Sequence, residues 1–337
     1  MALQCVVLGM ELIQQDWIDA IKQAQNAGVI NVVAVGQRNI SAARELGEVF
    51  EAPFYSDLRR MMLETTPQIL IMDRPREMPL DFIEACVHQG IGIFSLGPPV
   101  QSLSDAHKLN MLIEPRTHML YIWPRMSRSW AFLQASQTES YLHGPHFISG
   151  LWAGLNHAMA KSWDIREGSI GSLPVLAWDA FRTIVELAGI PALMYASIDG
   201  TGGEEDRFIH AGGTAAVVMR FAGTGTASLT ITDKDLPFRR ELLLFNREGR
   251  LKLAENSYNF LSSDGKIQEQ DIQTSAPAWK NALTELEEFC RQFTASTSPH
   301  RGWPHLLTQT AAMMTAMIVS HRTGTAESPQ HFLGLTR

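Results

Sequence analysis

Apolar residues fall along the first 120 positions in short unbroken runs, separated by segments with a helical period. Leu3 to Leu8, Val32 to Val35, Ile69 to Met72 and Ile91 to Leu96 read as strands buried on both faces, the pattern of a parallel sheet covered by helices. Between them, Trp17, Ile21 and Ala24 mark one face of a helix that stops near Gly28. A further helix is predicted from Asp81, as N-cap, to about Gly90, with Phe82, Cys86 and Val87 turned inward. This β-α-β-α-β rhythm predicts an α/β domain with a Rossmann parallel sheet over residues 1–120.

From about residue 147 the period changes. Thr226 to Thr232 alternates polar and apolar without a fault, which predicts a half-buried antiparallel strand. Phe147 to Trp152, Leu193 to Ile198, Ala215 to Phe221, Glu241 to Phe245 and Leu251 to Ala254 are further strands, with turns at Gly223 to Gly225, at Gly249 and at Asp264-Gly265. Residues 121–337 are therefore expected to form a second, α+β domain built on a large, mainly antiparallel open sheet. The end is helical: Trp279, Leu283, Leu286, Phe289 and Phe293 recur at helical spacing, and Ala311 to Ser320 is a helix whose Met313, Met314 and Met317 fill core. These closing helices are expected to return to the first domain.

Composition narrows the class. A chain of 337 residues, 45% hydrophobic, is long enough for two domains and buries enough surface to need no disulfide or metal staple. Its net charge of −7 makes nucleic acid and anionic membranes poor partners. Cys5, Cys86 and Cys290 form no C-x-x-C pair and suit a reducing compartment as small core residues. Met1 to Met10 carries no basic segment of the secretory kind, and the longest apolar stretch, Ala311 to Val319, is too short to span a bilayer. A cytoplasmic protein is expected.

Small markers, in order, carry a family resemblance over nearly the whole length. Val6-Val7-Leu8-Gly9 opens the first strand and turn, Val33-Ala34-Val35 precedes Gln37-Arg38-Asn39, and Tyr55-Ser56-Asp57-Leu58 steps into a helix. Gly97-Pro98-Pro99 is followed by Ser104-Asp105-Ala106, and Glu285, Phe289 and the Ala311 to Gly324 segment close the pattern. The sequence resembles the glucose–fructose oxidoreductase, inositol dehydrogenase and rhizopine-catabolism group, Gfo/Idh/MocA, as a divergent member. The resemblance implies a dinucleotide on the first turn and a sugar, polyol or related compound in a cleft between the domains.

At the positions where that family does its chemistry, this chain departs from it. The G-x-G-x-x-G turn, whose glycines let backbone approach a pyrophosphate, reads Gly9, Glu11 and Gln14, with Met10 after the first glycine. A Glu11 carboxylate aimed at a pyrophosphate costs on the order of 4 kcal/mol at about 4 Å and an intermediate dielectric, roughly a thousandfold in affinity. Glu11 is equally compatible with a solvent-facing place in the first helical turn. The acidic residue that accepts from the adenosine ribose is replaced by Gln37-Arg38, so a bound dinucleotide would be NADP through Arg38 before NAD; an exposed loop arginine is the plain alternative. Arg74-Pro75 stands where the family has Thr-Pro, and Arg74 is either a phosphate partner or a solvated charge.

The family's Glu-Lys-Pro lysine is replaced by Pro98, which can do no acid–base work, although the resemblance implies a cis Pro98-Pro99 bond. The D-x-G-x-H aspartate falls on Val175 and the histidine on Asp179, with Arg182 one helical turn on. Asp179 and Arg182 are thus either a structural pair or the groups that meet a ligand, Asp179 accepting a proton only if burial raises its pKa. His143, His146 and His157 match no metal-binding spacing and read as loop histidines, so no metal is expected. Trp123, Trp130, Trp152, Trp163 and Trp178 serve packing or, alternatively, sugar stacking.

Two functions remain. One is a family member with eroded cofactor and catalytic motifs, a pseudoenzyme that senses a ligand or regulates through partners, with no cofactor required. The other is an active NADP-dependent oxidoreductase of a sugar, polyol or related hydroxyl or carbonyl compound. Either form is expected to be a homo-oligomer, because the terminal helices cannot cover both faces of the open sheet.

Overall fold

The computed structural model describes residues 2–10, 15–37, 39–73, 78–100, 102–123, 126–137, 145–154, 173–201, 212–223, 225–234, 239–272, 279–296 and 303–334. The chain divides into two compact units. Met1–Val100, Lys108–Trp123 and Ala276–Pro304 form the first; Gln101–His107, Pro124–Ser275 and His305–Arg337 form the second.

The first unit is a six-stranded sheet of β1 (Leu3–Leu8), β2 (Ile30–Gly36), β3 (Phe54–Tyr55), β4 (Ile69–Met72), β5 (Gly92–Ser95) and β6 (Leu120–Ile122), in the order 3-2-1-4-5-6. Every neighbouring pair is parallel. Strands β4 and β5 are buried along their whole length, as continuous apolar runs require. The connecting helices are α1 (Gln15–Asn26), α2 (Ile40–Phe50), α3 (Leu58–Thr65) and α4 (Leu80–His88), with α5 (Leu103–Ile113) after β5. Asn39 caps α2 by accepting from the Ser41 and Ala42 amides, and Asp57 caps α3 by accepting from Arg59 and Arg60. Helix α4 begins one residue before the predicted Asp81: the fixed φ of Pro79 (−58°) sets its start, and Asp81 lies in the first turn. That phase turns Ile83 inward with Cys86 and Val87 and leaves Phe82 half-buried.

Helix α8 (Trp279–Ala295), whose range follows α6 (Trp130–Ser136) and α7 (Leu173–Ala188) of the second unit, returns to the first and packs on α1. Its Phe289 meets Phe94 of β5, which stacks on Tyr121 of β6 with centroids 4.9 Å apart and meets Trp17 of α1. The Tyr121 hydroxyl donates to Glu285. The three cysteines are buried; burial pushes the thiols of Cys86 and Cys290 up to about 12 and raises Cys5 as well, so none is a thiolate nucleophile.

The second unit is an eight-stranded sheet of β7 (Phe147–Ala153), β8 (Leu193–Thr201), β9 (Gly212–Arg220), β10 (Thr226–Thr232), β11 (Arg239–Phe245), β12 (Gly249–Ala254), β13 (Ser257–Ser262) and β14 (Ile267–Ile272). The order is 14-13-12-11-7-10-9-8, antiparallel except for the parallel pair β7–β10. Alternate residues, among them Trp152, Val217, Leu229 and Leu242, face inward, and α7 packs on that side. Strands β13 and β14 go beyond the sequence prediction, and β14 is almost wholly exposed, so it carries no buried face to announce it.

Of the closing helices, α9 (Trp303–Thr323), followed by α10 (Pro329–Gly334), groups largely with this second unit rather than the first. The reason is the outer edge of β8. Its Met194, Ala196 and Ile198 amides donate to the Glu327 carbonyl, Ser320 Oγ and His321 Nδ1 at 2.7, 2.9 and 3.1 Å. Met313, Met314 and Met317 are fully buried, and no described helix is long and apolar enough to cross a membrane.

Candidate functional site

Two places carry the residues singled out by sequence. The first is the carboxyl end of the parallel sheet. Strand order reverses direction between β1 and β4, and in such sheets ligands lie in the crevice that opens there. The turn after β1 is tight: Gly9 sits at φ +68°, its amide donates to the Gly36 carbonyl at 2.9 Å, and a Cβ on it would lie 2.7 Å from the Asp73 carbonyl oxygen. Only glycine meets both demands. Met10 is fully buried, so the turn presents backbone and not that side chain. Pro98 is buried as well, in a loop where the Ser95 hydroxyl donates to Gly97 O at 2.7 Å. The Pro98-Pro99 bond is trans, not cis, as is every described peptide; it keeps the roughly 0.5–1 kcal/mol preference intrinsic to such bonds. Glu11, Gln14, Arg38, Arg74 and Pro75 lie outside the described residues.

A dinucleotide in this crevice would have to suit both its backbone and its charges. The backbone at Gly9 fits, since a glycine in a tight turn after the first strand lets a diphosphate come close. The described charges do not. Among the described residues of the strand ends and the first turns of α1, the charged side chains are Asp73, Asp16 and Asp19. Asp73, which sequence reading passed over, is 5% exposed at the end of β4, and its amide donates to Leu8 O at 2.9 Å. A carboxylate directly after a buried strand was the available signal.

The second place is α7. Asp233 holds its start, accepting from the Leu173 amide at 3.1 Å and from the Gly213 amide at 2.7 Å. Asp179, less than two turns further and 7% exposed, is engaged on both oxygens. Oδ1 accepts from the Met126 amide at 3.1 Å; Oδ2 accepts from Trp152 Nε1 at 3.0 Å and from Arg240 Nη1 at 3.3 Å. Arg240 in turn donates to Glu255. Of the two readings of Asp179 and Arg182, the pair with each other does not form: the carboxylate's cationic partner is Arg240. Register sets Arg240 of β11 opposite Trp152 of β7, directly under the carboxylate, while Arg182 pairs forward with Glu186 at 3.1 Å, its own i+4 neighbour. Sequence reading also missed Arg240, although its parity with the inward-facing Leu242 and Leu244 marks it as an arginine in need of a buried partner.

The remaining candidates are dispersed. His146 lies beside β7, where its backbone bonds Phe245 and Thr226, whereas His143, His157 and Trp163 fall outside the described residues. Trp123 packs edge-on against Trp17, and Trp130 lies tilted against Tyr258. Among the described residues no group of His, Cys, Asp and Glu is placed to hold a metal.

Comparisons place this geometry. Residues 3–122 match the model of an oxidoreductase family with an NAD-binding Rossmann fold. No curated protein matches by sequence. A levoglucosan dehydrogenase in complex with NADH and levoglucosan superposes with a TM-score of 0.80 at 11% identity, over 97% of this chain and 99% of its own. An oxidoreductase from Agrobacterium radiobacter, in complex with NAD+, L-tartaric acid and magnesium, gives 0.79 at 12% identity, over 98% and 99%. One from Thermotoga maritima gives 0.78 at 16%, over 98% and 100%. At such identities the likeness is one of fold, and it extends through both units. Residues 3–122 thus carry the NAD-binding Rossmann fold of that oxidoreductase family, and both units share the fold of these solved structures.

Proposed function

We propose that this protein is a ligand-binding family member that senses a small hydroxylated molecule or regulates through partners, and that Asp179 braces the fold instead of moving a proton. One observation carries this reading. The carboxylate at the position of the family's histidine is taken up by three donors, so accepting a substrate proton would first require breaking a buried ion pair. Pro98 at the lysine position supports the same reading. The test is titration with NADH and NADPH, followed by energy transfer from tryptophan, together with an assay for nicotinamide reduction over a panel of sugars and polyols. A weak nucleotide response and no reduction are expected. Steady turnover with any member of the panel would sink the proposal. Micromolar NADPH binding abolished by Arg38→Ala would favour the active NADP-dependent oxidoreductase, which the Gly9 turn also suits.

A second copy of the chain is the proposed partner of the open sheet face. Opposite α7 the sheet presents Tyr195 and Val218, 46% and 54% exposed and paired across β8 and β9. The same face carries Phe147, 38% exposed, in ring contact with Phe245. Clustered exposed apolar side chains of this size mark association surfaces. Light scattering is expected to report an oligomer that Val218→Glu combined with Tyr195→Glu splits. A wild-type monomer at every concentration would refute the assignment.

A further inference from the structure

The outer edge of β8 is closed by three acceptors that differ in how they answer acid. At one end the Met194 amide donates to the Glu327 carbonyl at 2.7 Å, and the Glu327 amide returns the bond to Met194 O at 2.8 Å. In the middle the Ala196 amide donates to Ser320 Oγ at 2.9 Å, while that hydroxyl directs its own proton to Thr325 O at 2.6 Å. Carbonyl and hydroxyl oxygens gain no proton under conditions where a protein stays folded. The third acceptor is of another kind. Ile198 donates to Nδ1 of His321 at 3.1 Å, so that nitrogen carries a lone pair and the ring proton sits on Nε2. An imidazolium is a donor at both nitrogens and would set one N–H against another.

We propose that His321 is a proton-operated latch: the neutral ring holds the last turn of α9 against β8 at Ile198, and the protonated ring lets that amide go while the bonds at Ser320 and Glu327 stay made. An unperturbed histidine takes up its proton near pH ~6.5, so the bond is made above that range and lost below it. The loss has weight, because Ile198 is 6% exposed and His321 half-buried, which leaves little water to replace the acceptor. The charged and titratable groups on the described elements around the ring come from four places. Strand β8 contributes Tyr195 and Asp199, whose carboxylate is held by Lys234 Nζ at 2.7 Å. The segment after α9 contributes Glu327, whose Oε1 accepts from the Thr323 and Thr325 hydroxyls at 3.2 Å. Helix α9 itself adds Arg322, and α10 adds His331. Of these residue types only histidine changes charge near neutrality, which makes His331 the control.

The test is amide hydrogen exchange on the whole chain, resolved by nuclear magnetic resonance at about pH 7.5 and about pH 5.5, either side of the histidine range, with each rate compared with its intrinsic value at that pH. The protection of Ile198 is expected to fall roughly tenfold on acidification, about the worth of one hydrogen bond, while that of Met194 holds. In H321N an amide oxygen that takes no proton replaces the ring nitrogen, and protection is expected to stay level between the two conditions. H331N is expected to behave as the wild type. A nitrogen-15 spectrum of the His321 ring at the higher pH is expected to show Nδ1 without its proton. A level Ile198 profile in the wild type overturns the proposal, as does an equal fall in H321N or a fall that disappears in H331N. Should H321N fail to fold, the ring spectrum decides: Nδ1 carrying the proton at the higher pH overturns the proposal by itself.

Discussion

Arg240→Met is expected to lower the stability of the second unit by about 3–5 kcal/mol, the penalty for leaving a buried charge without its partner. The residue is 8% exposed, reaches Asp179 at 3.3 Å and donates to Glu255. Its removal leaves Asp179 with two neutral donors, the Met126 amide and Trp152 Nε1, where the family's chemistry would want a titratable group at liberty. Asp179→Leu alone should also lower stability, since it removes one of the two carboxylates that the buried Arg240 meets. The double variant should recover much of the loss, because an apolar pair of comparable volume avoids the cost of desolvating charge. Urea unfolding monitored by tryptophan fluorescence measures all three. Single-variant losses under about 1 kcal/mol would mean the pair is hydrated and exchangeable, and Asp179 would return as a candidate proton acceptor.

The first unit has its own pivot. Phe94→Ala should cost about 3–5 kcal/mol, from lost transfer energy together with the cavity left behind. Phe94 is fully buried and touches Tyr121, Trp17 and Phe289, with centroids 4.9, 5.4 and 5.5 Å away. Such ring pairs add about 0.5–1.5 kcal/mol each beyond area alone. Three elements, α1, β6 and α8, converge on this one ring, so a hole here loosens the support of the crevice as well as the core. Thermal unfolding gives the cost. A drop of less than about 1 kcal/mol would show that the neighbouring rings collapse into the space.

Much of the framework was legible in the sequence where water marks one side of an element or excludes it from both. The run Ile69 to Met72 matches β4 end to end, and the alternation of Thr226 to Thr232 matches β10. Where neither pattern exists, reading failed: Ile267-Gln-Glu-Gln-Asp-Ile272 of β14 is exposed on both faces and held only by β13. The site was harder for a different reason. Helical spacing proposes partners three or four residues away, so Asp179 was set with Arg182. The actual partner, 61 residues along the chain, is delivered by the pairing of β7 with β11, a relation no local window contains. Asp73 was overlooked because its place comes from strand order, which sets the end of β4 beside the turn of β1.

The last turn of α9 and the segment after it have a consequence for how copies of this protein can meet. A chain ending before Ser320 would leave the amides of Met194, Ala196 and Ile198 without acceptors, a row of donors able to recruit foreign strands. With Ser320, His321 and Glu327 in place, that flank is sealed from within the same unit, a built-in guard against runaway polymerisation.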